Sequence, residues 1–386
     1  MLLKQITILN YKNLAEADLS FSRKVNCFVG FNGMGKTNLL DAIYYLSFCK
    51  SATNPIDSQN IRHEAEFFML QGRYVLDDGE EEEIYCSLRR ARGKKFRKGK
   101  KEYRRLSDHI GSFPLVQVSP ADGVLVYGGS EERRRFMDMT ICQYDREYLN
   151  ALLRYNKALA QRNALLKASA SQAIDPSLFL LWEETMDSAA QTVYQKRQEF
   201  VEGFVPIFNE LYVSITSSSS SEHVSLAYVS QLTEASLLTQ LAESREKEKI
   251  VGYTLHGIHK DDLSMLLGGF PLRREGSQGQ GKSYLVALKL AQYLFLRQRL
   301  QRVPLLLLDD FFDKLDSERV ERIIRLVSGN AFGQIFLTDT HREHLSQILS
   351  KMQTPYRIFS VTSGKVQLEA EKEDVSSDIN KEEVEE

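Results

Sequence analysis

The stretch GFNGMGKTN, Gly30–Asn38, directly follows the largely apolar segment Val25–Val29. It has the spacing G-x-x-x-x-G-K-T, in which a glycine-rich turn directs backbone N–H groups toward phosphate groups. Glycine suits these positions because a side chain would block the phosphate or strain the backbone. The sequence predicts a buried strand, a phosphate-binding loop and then a helix over Asn38–Phe48. The apolar positions with helical spacing are Leu39, Leu40, Ile43 and Leu46.

The loop predicts a binding site for a nucleoside triphosphate, with ATP and Mg²⁺ as the expected cofactors. Lys36 supplies a positive charge for the β- and γ-phosphates, and Thr37 supplies a hydroxyl for Mg²⁺. The positive end of the following helix adds to the field that attracts an anion. A glycine turn with a chance lysine is the alternative. The expected nucleotide contacts are Gly30, Phe31, Asn32, Gly33, Met34, Gly35, Lys36, Thr37 and Asn38.

A second motif, VPLLLLDDFFDKLD at Val303–Asp316, predicts the metal side of the same site. The run Leu305–Leu308 is typical of a strand that is buried on both faces of a parallel sheet. Carboxylates that follow such a strand emerge at the sheet edge where ligands bind. We expect Asp309 to hold Mg²⁺ and Asp310 to orient the attacking water. An acidic turn after a core strand, without a ligand, is the alternative.

A third motif, EGSQGQGKSYLVALKLAQYLFL, spans Glu275–Leu296. Its small, polar turn contains Ser277, Gly279 and Gly281 and comes directly before the helical pattern of Tyr284–Leu296. The start of a helix can bind an anion through its free N–H groups. The sequence thus predicts a second phosphate site, and an ordinary helix cap is the alternative.

Composition and charge limit the class of protein. The chain has 386 residues and a net charge of −2, so its global charge does not indicate a nucleic-acid partner. Its four cysteines are far apart and lack metal-ligand spacing, which favours reduced thiols. No apolar run approaches the roughly 20 residues of a membrane helix. We therefore expect a cytoplasmic protein with no membrane partner.

The charge is unevenly distributed along the chain. Arg89–Arg105 carries eleven basic residues and one acidic residue, Glu102, and Gly99 is the expected tip of a hairpin. Such a hairpin can place cations along a DNA backbone without reading the base sequence. A solvated hairpin is the alternative, and Arg133–Arg135 and the helical region are the next candidates. The expected DNA contacts are Lys94, Lys95, Lys98, Lys100 and Lys101.

Four regions follow from the pattern of strands, helices and charge. Residues 1–129 are strand-rich, residues 130–249 are mainly helical, and residues 250–368 alternate strands with helices again. Residues 369–386 are half acidic and lack aromatic side chains. This composition predicts a disordered tail. The predicted fold is therefore an α/β head, with a mainly helical second lobe inserted in it.

Several motifs together resemble one family, the RecF recombination mediators, within the ABC-type P-loop ATPase heads. The block that contains ERRRF and the block HGIHKDDL are typical of RecF rather than of ABC proteins in general. The matching motifs span Leu9–Asp316 in the expected order. They are LNYKNL, VGFNGMGKTNLLDAIYYLSFCKS, SPADGVLVYGGSEERRRFMD, HGIHKDDL, SQGQGKSYLVALKLAQ and LLLLDDFFDKLD.

The resemblance implies roles for further residues. Such heads form head-to-tail homodimers with ATP between the subunits, so the second phosphate site would contact the γ-phosphate bound at the partner's Lys36. Leu315 and Asp316 would reach across the same interface, and Gln117 would be a ligand of Mg²⁺ or water. The residues of the second phosphate site are Ser277, Gly279 and Gln280.

The resemblance also implies a function. RecF proteins bind DNA at single-strand/double-strand junctions without sequence specificity, and they work with RecR and RecO to load recombinase. The implied protein is a weak, DNA-linked ATPase of replication and recombinational repair. Another ABC-type head, either SMC-like and structural or a transporter motor, is the alternative, as is a P-loop kinase.

Three positions depart from the usual ABC pattern. In the segment SQGQ, which corresponds to the signature motif of ABC proteins, Gln278 replaces the first glycine. Asp310 replaces the glutamate that most ABC heads have at this position, and this shorter side chain is consistent with slow hydrolysis. ABC-type heads usually carry a histidine, called the switch histidine, directly after the strand that here contains Thr338. In this chain Asp339 directly follows Thr338, and His341 lies two residues beyond that position. We therefore assign no role to His341.

Overall fold

The computed structural model describes residues 1–90, 92–216, 223–310, 317–340, 349 and 354–372. The chain forms two compact units. Unit 1 consists of Met1–Ala121 and the described part of Leu296–Glu386, and unit 2 is Asp122–Phe295.

The first sheet of unit 1 is antiparallel and has six strands. Its polar and apolar residues alternate, because one face of each strand packs on the core. Along the sheet the order is β2-β1-β4-β5-β6-β7. The strands are β1 (Leu2–Tyr11), β2 (Leu14–Ser20), β4 (Phe67–Val75), β5 (Glu81–Arg89), β6 (Gly93–Lys98) and β7 (Lys101–Glu102).

The second sheet of unit 1 is parallel except at one edge. Among the described residues its order is β15-β14-β3-β13-β12-β8, in which β14 and β15 pair in antiparallel fashion and the other neighbours are parallel. The strands are β3 (Val25–Val29), β8 (Leu115–Val118), β12 (Leu305–Leu308), β13 (Ile335–Asp339), β14 (Tyr356–Thr362) and β15 (Lys365–Lys372). Helices α1 (Lys36–Phe48) and α9 (Ser317–Ser328) also belong to this unit.

The predicted core strands occupy the middle of this second sheet. Every residue of β3 and of β12 is buried, and each strand has a parallel neighbour on both sides. A strand that is covered on both faces requires a continuous apolar run, and both segments have one. Their carboxyl ends lie at the same edge of the sheet, where the loops bind ligands in open α/β folds.

Unit 2 is mainly helical. Its short sheet has the order β11-β10-β9, formed by β9 (Val224–Val229), β10 (Asp262–Leu267) and β11 (Phe270–Pro271). An aromatic cluster of Phe204, Phe208, Tyr284 and Phe295 joins two long helices, α5 (Pro176–Ile215) and α8 (Gln278–Leu300). The helices are α2 (Val124–Tyr127), α3 (Ser130–Ile141), α4 (Arg146–Ala168), α5 (Pro176–Ile215), α6 (Leu237–Val251), α7 (Leu272–Glu275) and most of α8 (Gln278–Leu300).

The structure differs from the predicted regions at three places. Unit 2 begins at Asp122 rather than at residue 130. Unit 2 includes residues 250–295, which we assigned to the ATPase lobe, because α8 packs on α5 through the aromatic cluster. The predicted disordered tail begins too early. Glu369–Lys372 belongs to β15, which pairs with β14, and residues 373–386 lie outside the described residues.

Among the helices that the structure describes, none combines the length and the apolar character of a membrane span.

Candidate nucleotide-binding site

The phosphate loop connects β3 to α1, and its glycines are required by its shape. Gly33 and Gly35 have φ angles of 80° and 114°, in the left-handed region that other residues rarely adopt. At Gly30 a Cβ atom would lie 2.3 Å from the backbone oxygen of Val361 in β14. A larger residue at Gly30 would therefore separate the loop from the neighbouring strand.

Lys36 is the first residue of α1 and is buried. Its Nζ donates to the carbonyl oxygen of Gly30 at 2.7 Å and to that of Phe31 at 3.2 Å. The ammonium group thus lies within the turn of the loop, beside the N-terminus of α1. A positive charge and a helix N-terminus at one place suit a phosphate group.

Asn13 and Gly364, which were not predicted as site residues, hold the apex of the loop. The carbonyl oxygen of Met34 accepts from Asn13 Nδ2 at 3.2 Å and from the backbone N–H of Gly364 at 3.0 Å. Asn13 Oδ1 also accepts from Asn38 Nδ2 at 2.7 Å. Asn13 belongs to the LNYKNL motif, which was the one available signal. Gly364 lies in the turn between β14 and β15, and no sequence pattern singled it out.

The metal side of the site brings three oxygen-bearing side chains together. Asp309 Oδ1 accepts from Thr37 Oγ1 at 3.0 Å and from Thr338 Oγ1 at 2.8 Å. Carboxylate and hydroxyl oxygens are the hard donors that Mg²⁺ prefers, so this donor set fits the expected ion. Thr37 and Asp309 were both predicted as its ligands, whereas Thr338 was noted only as a neighbour of the expected switch histidine.

Burial raises the pKa of Asp309, and the nearby Asp310 carboxylate raises it further. The hydrogen bonds from Thr338 and Thr37, and the charge of Lys36, oppose this shift. A carboxylate that is buried at such a cost is well suited to a cation, because a bound cation would favour its charged form.

Asp310 has an unusual backbone conformation, with a φ angle of 40°. Its N–H donates to Thr338 Oγ1 at 2.8 Å. Left-handed backbone at a residue other than glycine is strained and tends to occur at functional sites. The Thr338 hydroxyl donates to the Asp309 carboxylate and accepts from the backbone N–H of Asp310, and it therefore orients both residues.

Gln117 lies in β8 opposite Leu307, two residues before Asp309. The strand ends that carry Gln117 and Asp309 are joined by a hydrogen bond from Asp309 N to the carbonyl oxygen of Val118, at 2.8 Å. The role of Gln117 as a ligand stays a prediction.

Comparison with known proteins identifies the family of this chain. A model of the AAA ATPase domain matches residues 1–223. A DNA replication and repair protein RecF from Bacteroides fragilis is 61% identical over 373 residues, which cover 97% of this chain and 100% of the relative. The chain belongs to the RecF family. A RecF from Porphyromonas gingivalis is 49% identical over 367 residues, which cover 95% of this chain and 100% of the relative.

Solved structures agree with this assignment. The recombination mediator protein RecF with ATP matches with a TM-score of 0.85 at 27% identity, over 95% of this chain and 97% of that one. An Smc head domain from Pyrococcus furiosus matches with a TM-score of 0.56 at 15% identity, over 95% of each chain, and shows the fold alone. The predictions of a RecF protein, of an ABC-type α/β head and of an ATPase are confirmed.

The predicted second phosphate site, formed by Ser277, Gly279 and Gln280, lies in unit 2, at the start of α8. The N–H of Ser277 donates to Gln280 Oε1 at 2.8 Å, and the N–H of Gln280 donates to Ser277 Oγ at 3.2 Å. This reciprocal pair is a capping box, so the helix-cap interpretation describes its geometry. Ser277 is exposed, and Gly279 lies between the two capping residues. Binding of a partner's γ-phosphate by this turn stays a prediction.

The basic segment forms β6, a turn at Gly99 and β7, as the sequence predicted for Gly99. Two of the five lysines that were predicted as DNA contacts form ion pairs within the protein, and their role in DNA binding stays a prediction. Lys94 Nζ lies 2.6 Å from Asp57 Oδ2, and Lys98 Nζ lies 3.0 Å from Glu82 Oε1. The exposed members are Lys95, Lys100 and Lys101.

The arginines of the ERRRF block hold unit 2 together. Arg133 forms a bidentate pair with Asp262, at 2.7 and 2.9 Å, and Arg134 donates to the carbonyl oxygen of Asp261 at 2.7 Å. The two RecF-type motifs therefore bind each other, and of Arg133–Arg135 only Arg135 is exposed. This pairing weakens the case for DNA contacts at these arginines.

Some predicted positions lie outside the described residues, namely Leu315, Asp316 and His341. Within the described part of the chain, no group of three or more His, Cys, Asp or Glu side chains could hold a metal ion. No disulfide joins the four cysteines, Cys27, Cys49, Cys86 and Cys142, all of which lie in the described part of the chain.

Proposed function

We propose that this protein is an ATP-dependent DNA-binding protein of recombinational repair and replication-gap processing. The observation that carries the proposal is the cluster of Lys36, Thr37, Asp309 and Thr338, in a chain that is similar to RecF over nearly its full length. The RecF relatives are named for DNA replication and repair, and a RecF structure contains ATP.

At the nucleotide site each residue has a distinct task. Lys36 and the N–H groups of the loop bind the phosphates, and Asn13 keeps the loop in shape through Met34. Thr37 and Asp309 would hold Mg²⁺, which neutralises charge that develops on the phosphates. Asp310 orients the attacking water, with its backbone held by Thr338. Asp310 is shorter than glutamate by one CH₂, and we expect slow hydrolysis for that reason.

ATP drives dimerisation in this proposal. Ser277, Gly279 and Gln280 of one subunit contact the γ-phosphate at Lys36 of the other. Two features support it: Ser277 is exposed at the N-terminus of a long helix, and a helix N-terminus attracts anions. ATP that binds across the interface stabilises the dimer by mass action.

DNA binding is electrostatic and involves Lys95, Lys100 and Lys101. These lysines are exposed on one hairpin, and phosphate contacts carry no base information. The protein binds duplex DNA and single-strand/double-strand junctions, helps to load recombinase there with RecR and RecO as partners, and works in the cytoplasm. The structural relatives described as part of the RecFOR pathway support these partners.

The deciding experiment measures DNA binding by the purified protein with ATP, with ADP and without nucleotide. We expect the tightest binding with ATP, because the dimer presents two hairpins to one DNA molecule. Lys36→Ala should lose nucleotide binding and the ATP effect, with unchanged circular dichroism. Equal DNA affinity in all three nucleotide states would refute the proposed switch, and normal ATP binding by Lys36→Ala would refute the site.

A further inference from the structure

Helix α1 carries Lys36 and Thr37 at its N-terminus, and its C-terminal end is stabilised by another part of the chain. Its last turn contains no basic residue, although cations are favourable at the negative end of a helix dipole. Its 13 residues correspond to a rod of roughly 20 Å. The groups that stabilise the C-terminal end come from the basic hairpin and the segment that follows it.

Lys94 of β6 supplies the missing cation. Its Nζ donates to the carbonyl oxygen of Cys49, the residue that ends α1, at 2.7 Å. The same ammonium pairs with Asp57 at 2.6 Å and lies 5.1 Å from the centre of the Tyr45 ring. Tyr45 OH in turn donates to Asp57 at 2.6 Å. Lys94, Asp57 and Tyr45 thus form one half-buried to buried cluster at the end of α1.

His109 makes a second attachment. Its Nε2 donates to the carbonyl oxygen of Leu46 in α1 at 2.7 Å, and its Nδ1 lies 3.1 Å from Tyr103 OH. Its ring lies 4.7 Å from that of Phe96 in β6. Burial lowers the pKa of His109 to about 4, so the ring is neutral near pH 7 and the carbonyl contact identifies Nε2 as the protonated nitrogen.

The two faces of strand β6 have different surroundings. Side chains alternate along a strand, so Lys94 and Phe96 point to the face that packs on α1, while Lys95 points to the other face and is exposed. Lys100 and Lys101 lie at the tip of the same hairpin. One strand thus connects the proposed DNA contacts to the helix that begins at the phosphate loop.

We propose that β6 couples DNA binding to nucleotide binding, with Lys94 as the positioning residue that transmits the effect to α1. A duplex held at Lys95, Lys100 and Lys101 fixes β6, and through Lys94 it fixes the position of α1 and of Lys36. Because the ammonium is removed from bulk water and paired, separating it from Asp57 and Cys49 is unfavourable. The inference rests on the proposed DNA contact.

The test measures the coupling factor in both directions. The affinity for a fluorescent duplex is determined with and without a non-hydrolysable ATP analogue, and the affinity for the analogue with and without the duplex. The two ratios must be equal by linkage, and typical couplings are about 5- to 150-fold. Lys94→Met keeps the aliphatic stem on Tyr45 and removes the charge, so we expect the coupling factor to fall to the part that ATP-driven dimerisation alone supplies. In a Ser277→Arg background, which is proposed to block dimerisation, Lys94→Met should reduce the coupling factor to about 1.

Lys95→Met is the matched control, because it removes the same charge from the other face of the same strand. It should weaken duplex binding to a similar extent with and without the analogue and retain the coupling factor. Lys94→Arg should restore coupling, because it can pair with Asp57. If Lys94→Met does not fold, Asp57→Asn breaks the same pair from the other side.

The outcomes separate the inference from the proposed function. A normal coupling factor in Lys94→Met or its replacement overturns the inference and leaves the proposed function standing. A wild-type coupling factor of 1 overturns both the inference and the proposed nucleotide switch, and it leaves the DNA contact standing. Wild-type duplex affinity after replacement of Lys95, Lys100 and Lys101 together overturns the proposed DNA contact itself. Loss of coupling in Lys94→Met, with recovery in Lys94→Arg, supports the inference.

Discussion

Thr338 Oγ1 donates to Asp309 Oδ1 at 2.8 Å, and the same oxygen accepts the backbone N–H of Asp310 at 2.8 Å. A single buried hydroxyl on β13 therefore orients the expected metal ligand and the expected water-orienting residue, which both follow β12. The contact is possible because β12 and β13 are parallel neighbours, with Leu308 opposite Leu337.

Replacing Thr338 with valine keeps the shape and removes this hydroxyl. The N–H of Asp310 then lacks its acceptor and Asp309 loses one donor, which costs about 1–3 kcal/mol of stability for a buried group. We expect ATP turnover to fall by roughly tenfold or more, with a smaller change in ATP affinity. Thr338→Ser should recover most of the rate. Turnover in the valine variant equal to wild type would show that the hydroxyl is dispensable.

Replacing Asp309 with asparagine should stabilise the nucleotide-free protein near pH 7, although it weakens Mg²⁺-dependent activity. Burial raises the pKa of Asp309, so the folded state holds the proton more tightly than the unfolded chain. The ionised carboxylate therefore lowers stability at pH 7. This cost disappears as the pH falls below the ordinary aspartate value of about 3.9.

Thermal unfolding of wild type and Asp309→Asn, followed from pH 7 to pH 4 without Mg²⁺, tests the sign. The advantage of the variant should shrink as the pH falls. Asp310→Asn is the control, since it makes the same chemical change at a less buried neighbour, and it should alter the midpoint less. A variant that is less stable than wild type at pH 7 contradicts the expectation.

Asp310→Asn should slow ATP hydrolysis and prolong the ATP-bound dimer. Loss of a group that orients water lowers the rate strongly while ground-state binding persists. Single-turnover hydrolysis and analogue titration, measured on the same preparation, separate the two effects. Unchanged turnover would exclude Asp310 from the water-orienting role.

Ser277→Arg should block ATP-driven dimerisation and leave nucleotide binding intact. The substitution adds bulk and charge at the turn that is proposed to meet the partner's γ-phosphate. It also removes the acceptor of the Gln280 N–H, so Ser277→Ala is the control, which loses the same cap bond at about 1 kcal/mol without adding bulk. Sedimentation with a non-hydrolysable ATP analogue should give monomers for the arginine variant and a smaller loss of dimer for the alanine variant, which lacks the hydroxyl but adds no bulk. Normal dimers of the arginine variant would refute the role in trans.

Replacing Lys95, Lys100 and Lys101 with alanine should weaken duplex binding to a similar degree for unrelated sequences. If each lysine neutralises one phosphate, the slope of log K against log salt becomes shallower by roughly 2.7, at ~0.9 per contact. ATP-driven dimerisation should persist, because none of the three belongs to a nucleotide motif. If the variant had the same salt slope as wild type, the hairpin would be a solvated surface that does not contact DNA.

The sequence by itself determined the features that depend on local conformation and on burial. The turn at Gly30–Asn38 requires backbone angles that only glycine readily adopts, and β3 and β12 need continuous apolar runs because both of their faces are covered. These demands act on consecutive residues, so they leave a pattern that can be read without the fold. The motifs that carry the family resemblance are also runs of consecutive residues, so they too can be recognised without the fold.

Only the tertiary structure decided which distant side chains meet. Ser363 contacts Met34 across 329 residues, and Thr338 contacts Asp309 across 29. Composition shows that Arg89–Arg105 is basic, but it does not show that Lys94 is paired with Asp57 while its neighbour Lys95 is exposed. Charge counts carry no information about which face of a strand is covered, and that face is determined by the register and packing of the whole sheet.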